Sequence, residues 1–497
     1  MVSSYRGPAV LLTAEGVTIE SVVATQPGLR AKSLGPWAVL GQSIANIGAS
    51  GAPLISVPVV AAIAGSGTWL AFLLATVGVI LITFNINSFA CESSGTASLY
   101  GYIARSLGAT VGVLGAWSLA IAYIGCGAAC VPLFSYYFNA LLEPLHLCVS
   151  PLLLSTLLLL GVWFCAWKDM RLSAHLMLGI EFAAMVVGIM LAAAILSRQG
   201  HFDLPQFQAR NLSFTGVGRG SVLAFMAMVG FESAASLGDE AHNPLRTIPR
   251  AIIVSSVIAG SYYVLHAYTM VAGFHALPTQ LTDSQVPLFD LAKAYGVSSL
   301  ALLLVFAGLV SGFTIVLASV NAGARTLFLL AKHGVLPPAF GRIHPTNQTP
   351  SFSVAVVSLL SLAIVVLLIL AGVPAREIWG YVGSVCTFGF LLAYLLITIG
   401  TPVYLYRRGR LRIWNVAVAV LATLVVLIPF IASLYPVPPY PQNILIYVFA
   451  GLLAIGFGWF RVLKARRPCI VQDIEGHLAE TYERFAVERA AGIGAVK

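Results

Sequence analysis

Charge is scarce in this chain. Asp, Glu, Lys and Arg make up 9% of its 497 residues, against 59% hydrophobic residues and a mean hydropathy of +0.92. About a quarter of an ordinary soluble chain is charged, so a soluble globule is excluded. Paired cysteines are missing too. Seven cysteines stand at 91, 126, 130, 148, 165, 386 and 469 without a CxxC spacing, so neither a disulfide framework nor a metal site is read. Cys126 and Cys130 share a helix face, where small apolar packing accounts for them. There is no Walker loop and no HExxH motif, and GVGRG at Gly216 lacks the context of a nucleotide fingerprint. It reads as the loop before a helix. These absences point away from an enzyme and call for no cofactor and no metal. The first 35 residues hold no basic start followed by an apolar core and a cleavage site, so they read as a cytoplasmic tail.

What the chain has instead is long apolar runs, at 36–64, 68–90, 109–140, 151–167, 173–196, 219–238, 251–274, 298–320, 350–371, 377–405, 413–433 and 444–463. Their lengths suit spanning helices rather than barrel strands. The fold class expected is an all-α polytopic membrane protein with twelve transmembrane helices, whose main partner is the lipid bilayer. The net charge of +9 then needs no nucleic acid. With the N-terminus inside, 22 of the 27 Lys and Arg residues fall on the cytoplasmic side and 5 outside, as the positive-inside rule demands. Both termini are expected in the cytoplasm.

Two runs are interrupted. The first holds NIGASGAPLISVP, with Gly48, Gly51, Pro53 and Pro58 inside one span; small residues before Pro53 read as a break and a new helix start. The sixth holds Gly230, with Glu232 two residues later in apolar surroundings. Unpaired backbone costs several kcal/mol in hydrocarbon, so such breaks belong where protein or a cavity receives them. The interrupted runs lie five apart, which puts the two halves in opposite senses. The pattern reads as a 5+5 inverted repeat, residues 36–200 and 218–408, with two further helices at 411–466 and a cytoplasmic tail at 467–497. The second half of the first run should offer free N–H groups near Ser50 to Leu54, a positive end suited to a carboxylate. The first half of the sixth should offer free carbonyls from Phe225 to Val229, a negative end suited to an ammonium. Together they match a zwitterion, an amino acid or a close relative. A valine at Gly51 is expected to fill the space that a carboxylate needs.

Other polar residues stand out. Glu181 lies about eight residues past Ser173, roughly 12 Å of helix rise, too deep to snorkel with ease. An intramembrane acid is a functional-site hypothesis by default, which makes Glu181 and Glu232 candidates for proton coupling. His266 reads as a satisfied core histidine and Glu92 as interfacial. SLYGYIARSLG, NAGARTLFLLAKHGVLP and PLFDLAKAYG read as short helices outside the spans. Ile474, Leu478, Tyr482 and Phe485 at helical spacing read as a small amphipathic cytosolic helix. Phe225, Phe231, Tyr123 and Phe313 lie near the breaks with no clear counter-charge, which favours a neutral, apolar side chain on the substrate.

NIGASGAP, SSGTASLYGYIARSLGATVGVLGAW, GFESAASLGDEAHNPLRTIPRAI and ARTLFLLAKHGVLP together resemble the signatures of the amino acid–polyamine–organocation (APC) superfamily. The resemblance implies the leucine-transporter fold and a secondary amino acid permease of the cell membrane, proton-coupled or exchange-driven. It implies that Ile47, Ser50 and Gly51 contact the substrate carboxylate or amine, and that the carbonyls of Met226 and Val229 take the ammonium. Glu181 falls near a fifth-helix position that bears a lysine in some members and borders the sodium site of others; Thr314 and Ser319 are polar contacts in the same region. Ala52 stands where a bulky apolar residue is frequent. Two other readings stay open, an amine or polyamine transporter of the same fold and a membrane nutrient receptor that binds without translocating. The oligomeric state is not read.

Overall fold

The computed structural model describes residues 32–490 except Thr96, Ala97, 143–145, Asp169, Asp283, Gln285 and Pro436. The tail expected over 1–31 lies outside the described residues. Among those described, helices alone build the fold: α1 (Pro36–Ile47), α2 (Pro53–Ala64), α3 (Thr68–Ala90), α4 (Ser98–Leu107), α5 (Ala109–Leu142), α6 (Pro151–Lys168), α7 (Met170–Gln199), α8 (Phe214–Met226), α9 (Pro244–His275), α10 (Pro287–Ala294), α11 (Ser298–Lys332), α12 (Ser351–Leu370), α13 (Ala375–Arg407), α14 (Ile413–Ala432), α15 (Gln442–Arg466) and α16 (Ile470–Ala490).

Eleven helical stretches among the described residues are long and apolar enough to cross a membrane, where the sequence led us to expect twelve. The difference lies at the first two runs. The break leaves α1 only twelve residues long. A 3-10 turn at Gly65–Gly67 joins α2 to α3, so Pro53–Ala90 forms one 38-residue helical stretch.

Local chemistry explains the first break. Pro36 and Pro53 each stand in the first turn of a helix, where a missing N–H costs nothing. Gly48 ends α1 in the left-handed conformation at φ 65°. The second break follows α8. Gly230, at φ 94°, turns the chain into a 3-10 segment at Phe231–Leu237. No other residue fits there, since a Cβ would sit 2.3 Å from Asn46 Nδ2.

Two expectations fail in detail. Residues 216–220 are not a loop but the first turns of α8, capped by Ser213, whose hydroxyl accepts from Gly216 N–H at 3.1 Å. Two of their glycines serve packing instead: a Cβ at Gly216 would lie 2.5 Å from the Ile63 carbonyl, and one at Gly220 3.0 Å from Ala64 and 3.1 Å from Val60 on α2. Likewise 321–332 form no separate helix but continue α11, a 35-residue helix that ends near His333 and Gly334. The short helices α4 and α10 occur where the sequence suggested them.

α5 lies against both α11 and α13, α3 against α9 and α8, and α1 among α7, α9 and α11. Lys32 and α16 lie on one face of the bundle, which we call the terminal face. There the Lys32 N–H donates to the Asp239 carbonyl, and the Arg484 guanidinium reaches the Asp239 carboxylate at 2.6 Å. Ile474, Leu478, Tyr482 and Phe485 bury the inner side of α16.

Candidate functional site

Both breaks border one cavity of about 850 Å³. Asn46, Ile47, Gly51 and Ala52 line it from the first break, and Met226, Ala227 and Val229 from the second. It runs to the face opposite the termini, where Ile63, Arg219, Glu377, Tyr435, Val437 and Gln442 form its mouth. On the terminal face the way is shut. Arg325 on α11 pairs with Glu240 at 2.6 Å, both side chains 2% exposed. Ser33 and Leu34 N–H groups donate to the Glu240 carbonyl at 2.7 and 2.8 Å, and His242 N–H returns to Leu34 at 2.8 Å.

Other helices stitch the broken ends together. The Tyr263 hydroxyl of α9 bonds the Ile47 carbonyl at 3.3 Å and the Ala227 carbonyl at 2.8 Å, one from each break. Asn46 Nδ2 donates to the Gly230 carbonyl at 3.2 Å, while its Oδ1 accepts from Ser319 at 2.9 Å. The Ser43 hydroxyl donates to the Phe231 carbonyl at 2.7 Å and accepts from Ala234 N–H at 3.1 Å. Polar groups freed in a bilayer must find partners within the protein, and these are they. Sequence reasoning missed Asn46, Tyr263 and Ser43. The available signal was a polar residue inside an apolar run next to a break, plain only for Asn46.

The N–H groups of the first break are not free, which corrects the sequence expectation. Gly48 N–H goes to Ala45, Ala49 N–H to Ile44, Ala52 N–H to Gly48 and Leu54 N–H to Gly51. Gly51 N–H is shared between the Gly48 carbonyl and Ser311 Oγ, at 3.1 Å each. Ser50 N–H donates to Glu181 Oε2 at 3.2 Å, and the Ser50 hydroxyl to the same oxygen at 2.7 Å. Glu181 Oε1 accepts from Ser311 at 2.7 Å and from Thr314 at 2.5 Å. A carboxylate does sit at the positive half-helix end, and it is the protein's own. Ser50 is buried and not part of the cavity wall.

The second break differs. The Phe225 carbonyl accepts from Met228 N–H and that of Ala227 from Tyr263, so these two are taken. No described residue donates to the carbonyls of Met226 or Val229, and both residues line the cavity. Phe231 is fully buried against Tyr394, off the cavity wall.

The other candidates separate. Glu232 accepts from Tyr123 at 2.7 Å and from Tyr394, whose hydroxyl in turn accepts from Gly230 N–H at 3.1 Å. Among the described residues no cation touches Glu181 or Glu232. Thr314 joins the Glu181 cluster, while Ser319 belongs with Asn46. His266 stacks on Tyr262 at 4.0 Å, outside the cavity. Cys126 and Cys130 are more than packing: with Cys386 they form part of the cavity wall. At Gly51 a Cβ would point at Ser311, 2.7 Å from its Cβ and Oγ, and not into the cavity. A valine there wedges α2 from α11 and does not occupy a carboxylate site.

Helices broken at the wall of a membrane-depth cavity, open on one face and shut on the other, define a membrane transporter. Its fold is leucine-transporter-like. It is similar to a solved point mutant of the manganese transporter from Eremococcus coleocola, with a TM-score of 0.55 and 12% identity over 92% of this chain and 99% of that one.

The chain belongs to the amino acid permease family, whose model matches residues 34–457. It is 26% identical over 379 residues to the branched-chain amino acid permease BcaP of Lactococcus lactis, covering 71% of this chain and 77% of that protein. It is 24% identical over 371 residues to mouse cationic amino acid transporter 4, covering 70% of this chain and 55% of that longer relative. It is 22% identical over 306 residues to the low-affinity putrescine importer PlaP of Escherichia coli, covering 59% of this chain and 65% of the importer. The family and these relatives are membrane transporters of the APC superfamily and not enzymes.

Proposed function

We propose that the chain carries a neutral, apolar amino acid across the cell membrane by alternating access, with both termini in the cytoplasm. The 36–200 and 218–408 segments act as inverted repeats around the cavity. In this reading the structure is the outward-open state: the cavity meets the outside, and the Arg325–Glu240 pair closes the cytoplasmic path.

One observation carries the substrate class. Among the described residues the cavity lining holds two charged ones, Arg219 and Glu377, both near its mouth, while Ile47, Ile55, Cys126, Leu133, Ile315 and Phe388 form an apolar wall deeper in. A cationic side chain finds no counter-charge there, and desolvating it unpaired is costly. This favours a neutral amino acid over a polyamine, since Glu181 and Glu232 lie behind the wall. The substrate ammonium goes to the Met226 and Val229 carbonyls.

The carboxylate end is coupled to Glu181. A substrate carboxylate approaches the first break at Gly51, where it must take the N–H from Ser311 Oγ, next to the Ser50 group that Glu181 already holds. Two like charges at one helix end repel, so the substrate enters when Glu181 carries a proton. Substrate and proton therefore bind together, and by linkage each favours the other equally. The same site runs exchange when the proton stays in place.

Uptake into proteoliposomes across labelled amino acids tests the substrate class, with matched amines and amides as competitors. We expect branched or other apolar amino acids to compete, and amines and amides to compete at least tenfold more weakly. Equal competition by the amine contradicts the carboxylate contact and puts the amine transporter in its place.

A further inference from the structure

Away from the substrate cavity, a pocket of about 410 Å³ opens between the terminal-face ends of α3 and α14. That volume falls in the usual range for small-ligand sites, about 300–1,000 Å³. Its floor is polar. Asn87 is 8% exposed, and its Oδ1 accepts no hydrogen bond from any described residue, while its Nδ2 donates to the Pro249 carbonyl at 3.3 Å. Glu92 is 7% exposed and lies beside it, bonded to Arg410 at 2.8 Å and Tyr404 at 2.5 Å. The mouth is basic: Arg410 lines it with its side chain 65% exposed, and Arg408 reaches the Glu92 carboxylate at 3.9 Å. The walls toward lipid are aromatic, with Phe84 49% and Trp414 70% exposed.

The depth is that of the headgroup layer. Asn87 stands one turn, about 5 Å, from the end of α3. Trp414, next to the first residue of α14, takes the place of an interfacial aromatic. The positive-inside rule accounts for the arginines. It does not account for a buried amide oxygen without a donor, a costly feature in a membrane protein.

We propose that this pocket binds the headgroup of an aminophospholipid. The primary ammonium donates to Asn87 Oδ1 and faces the Glu92 carboxylate. The phosphate lies outward against Arg410, and the acyl chains run along Phe84 and Trp414. A choline headgroup has no N–H and leaves Asn87 Oδ1 unpaired. A glycerol headgroup brings the phosphate but no ammonium to donate to Asn87 Oδ1.

The test measures thermal unfolding of the purified full chain in detergent. It is titrated with short-chain phosphatidylethanolamine, phosphatidylcholine, phosphatidylglycerol or soluble phosphoethanolamine. Phosphatidylethanolamine should stabilise at about tenfold lower concentration than phosphatidylcholine, the usual scale for pairing a buried acceptor. Arg410→Ala should weaken that effect, and Asn87→Ala should remove the difference between the two lipids. If Asn87→Ala does not fold, the lipid comparison and the Arg410→Ala titration decide. Equal response to phosphatidylethanolamine and phosphatidylcholine overturns the proposal. So does an unchanged preference in Arg410→Ala, or a matching response to phosphatidylglycerol, which marks surface charge alone. Full stabilisation by soluble phosphoethanolamine overturns the lipid assignment.

Discussion

The two helix breaks look alike in sequence and end differently in space. At the first, every N–H from Gly48 to Leu54 has an acceptor inside the protein, and Glu181 holds the Ser50 amide. At the second, Met226 and Val229 line the cavity, and no described residue donates to their carbonyls. The difference teaches where selectivity and coupling reside. On the function we propose, a ligand's cation meets groups that are ready, whereas its anion meets an end that a resident carboxylate already serves; binding energy then comes from the second break and control from the first.

The largest predicted effect erases the second break. Gly230→Ala forces a left-handed residue onto Asn46 and should cost about 2–6 kcal/mol in strain and overpacking. Loss of folded yield in a fluorescence size-exclusion assay checks this; normal yield and uptake would mean that the break is dispensable. Next comes Gly51→Val, which collides with Ser311. Thermal stability should fall by several degrees, and Ser311→Gly in the same chain should restore part of it. A binding defect without any loss of stability would mean that the valine acts on the substrate and not on the contact with Ser311.

A smaller effect is expected where the breaks share one partner. Tyr263→Phe removes the hydroxyl that serves both Ile47 and Ala227. Leaving buried carbonyls unpaired costs about 1–3 kcal/mol. Denaturation of the variant should show that loss, with substrate affinity changed less than stability. The reverse order would mean that the tyrosine belongs to the substrate site.

The smallest effect separates two sources of pH dependence. Burial, with His477 and Lys332 nearby, holds His333 at about 4, below its ordinary 6.5. The unfolded state then binds the extra proton first as pH falls. Stability from His333 is present above about 6.5 and is lost between about 6.5 and 4. His333→Asn should flatten this part of the stability profile and leave proton-driven uptake unchanged. A change in the coupling would show that the terminal face shares control with Glu181.

Much of this was legible in the sequence, because glycine and proline punctuate apolar runs for reasons that backbone sterics alone supply. Gly48, Pro53 and Gly230 marked the breaks, and the spacing of Ile474, Leu478, Tyr482 and Phe485 marked α16. The occupants of the freed ends were not legible. Glu181 is 131 residues from Ser50 and Tyr263 is 216 from Ile47, so only packing brings them together. The same holds for GVGRG. Its glycines meant a loop to local propensity, and two of them serve a close helix contact once Val60, Ile63 and Ala64 lie opposite.

The most direct test compares Glu181→Gln with Glu232→Gln in proteoliposomes, with and without an imposed inward proton gradient. If the first break holds the coupling, Glu181→Gln keeps exchange of internal for external amino acid and loses stimulation by the gradient. Glu232→Gln, at the break we propose for the ammonium, keeps the stimulation. Gradient-driven uptake that survives in Glu181→Gln and vanishes in Glu232→Gln would contradict that claim and move the coupling to the second break.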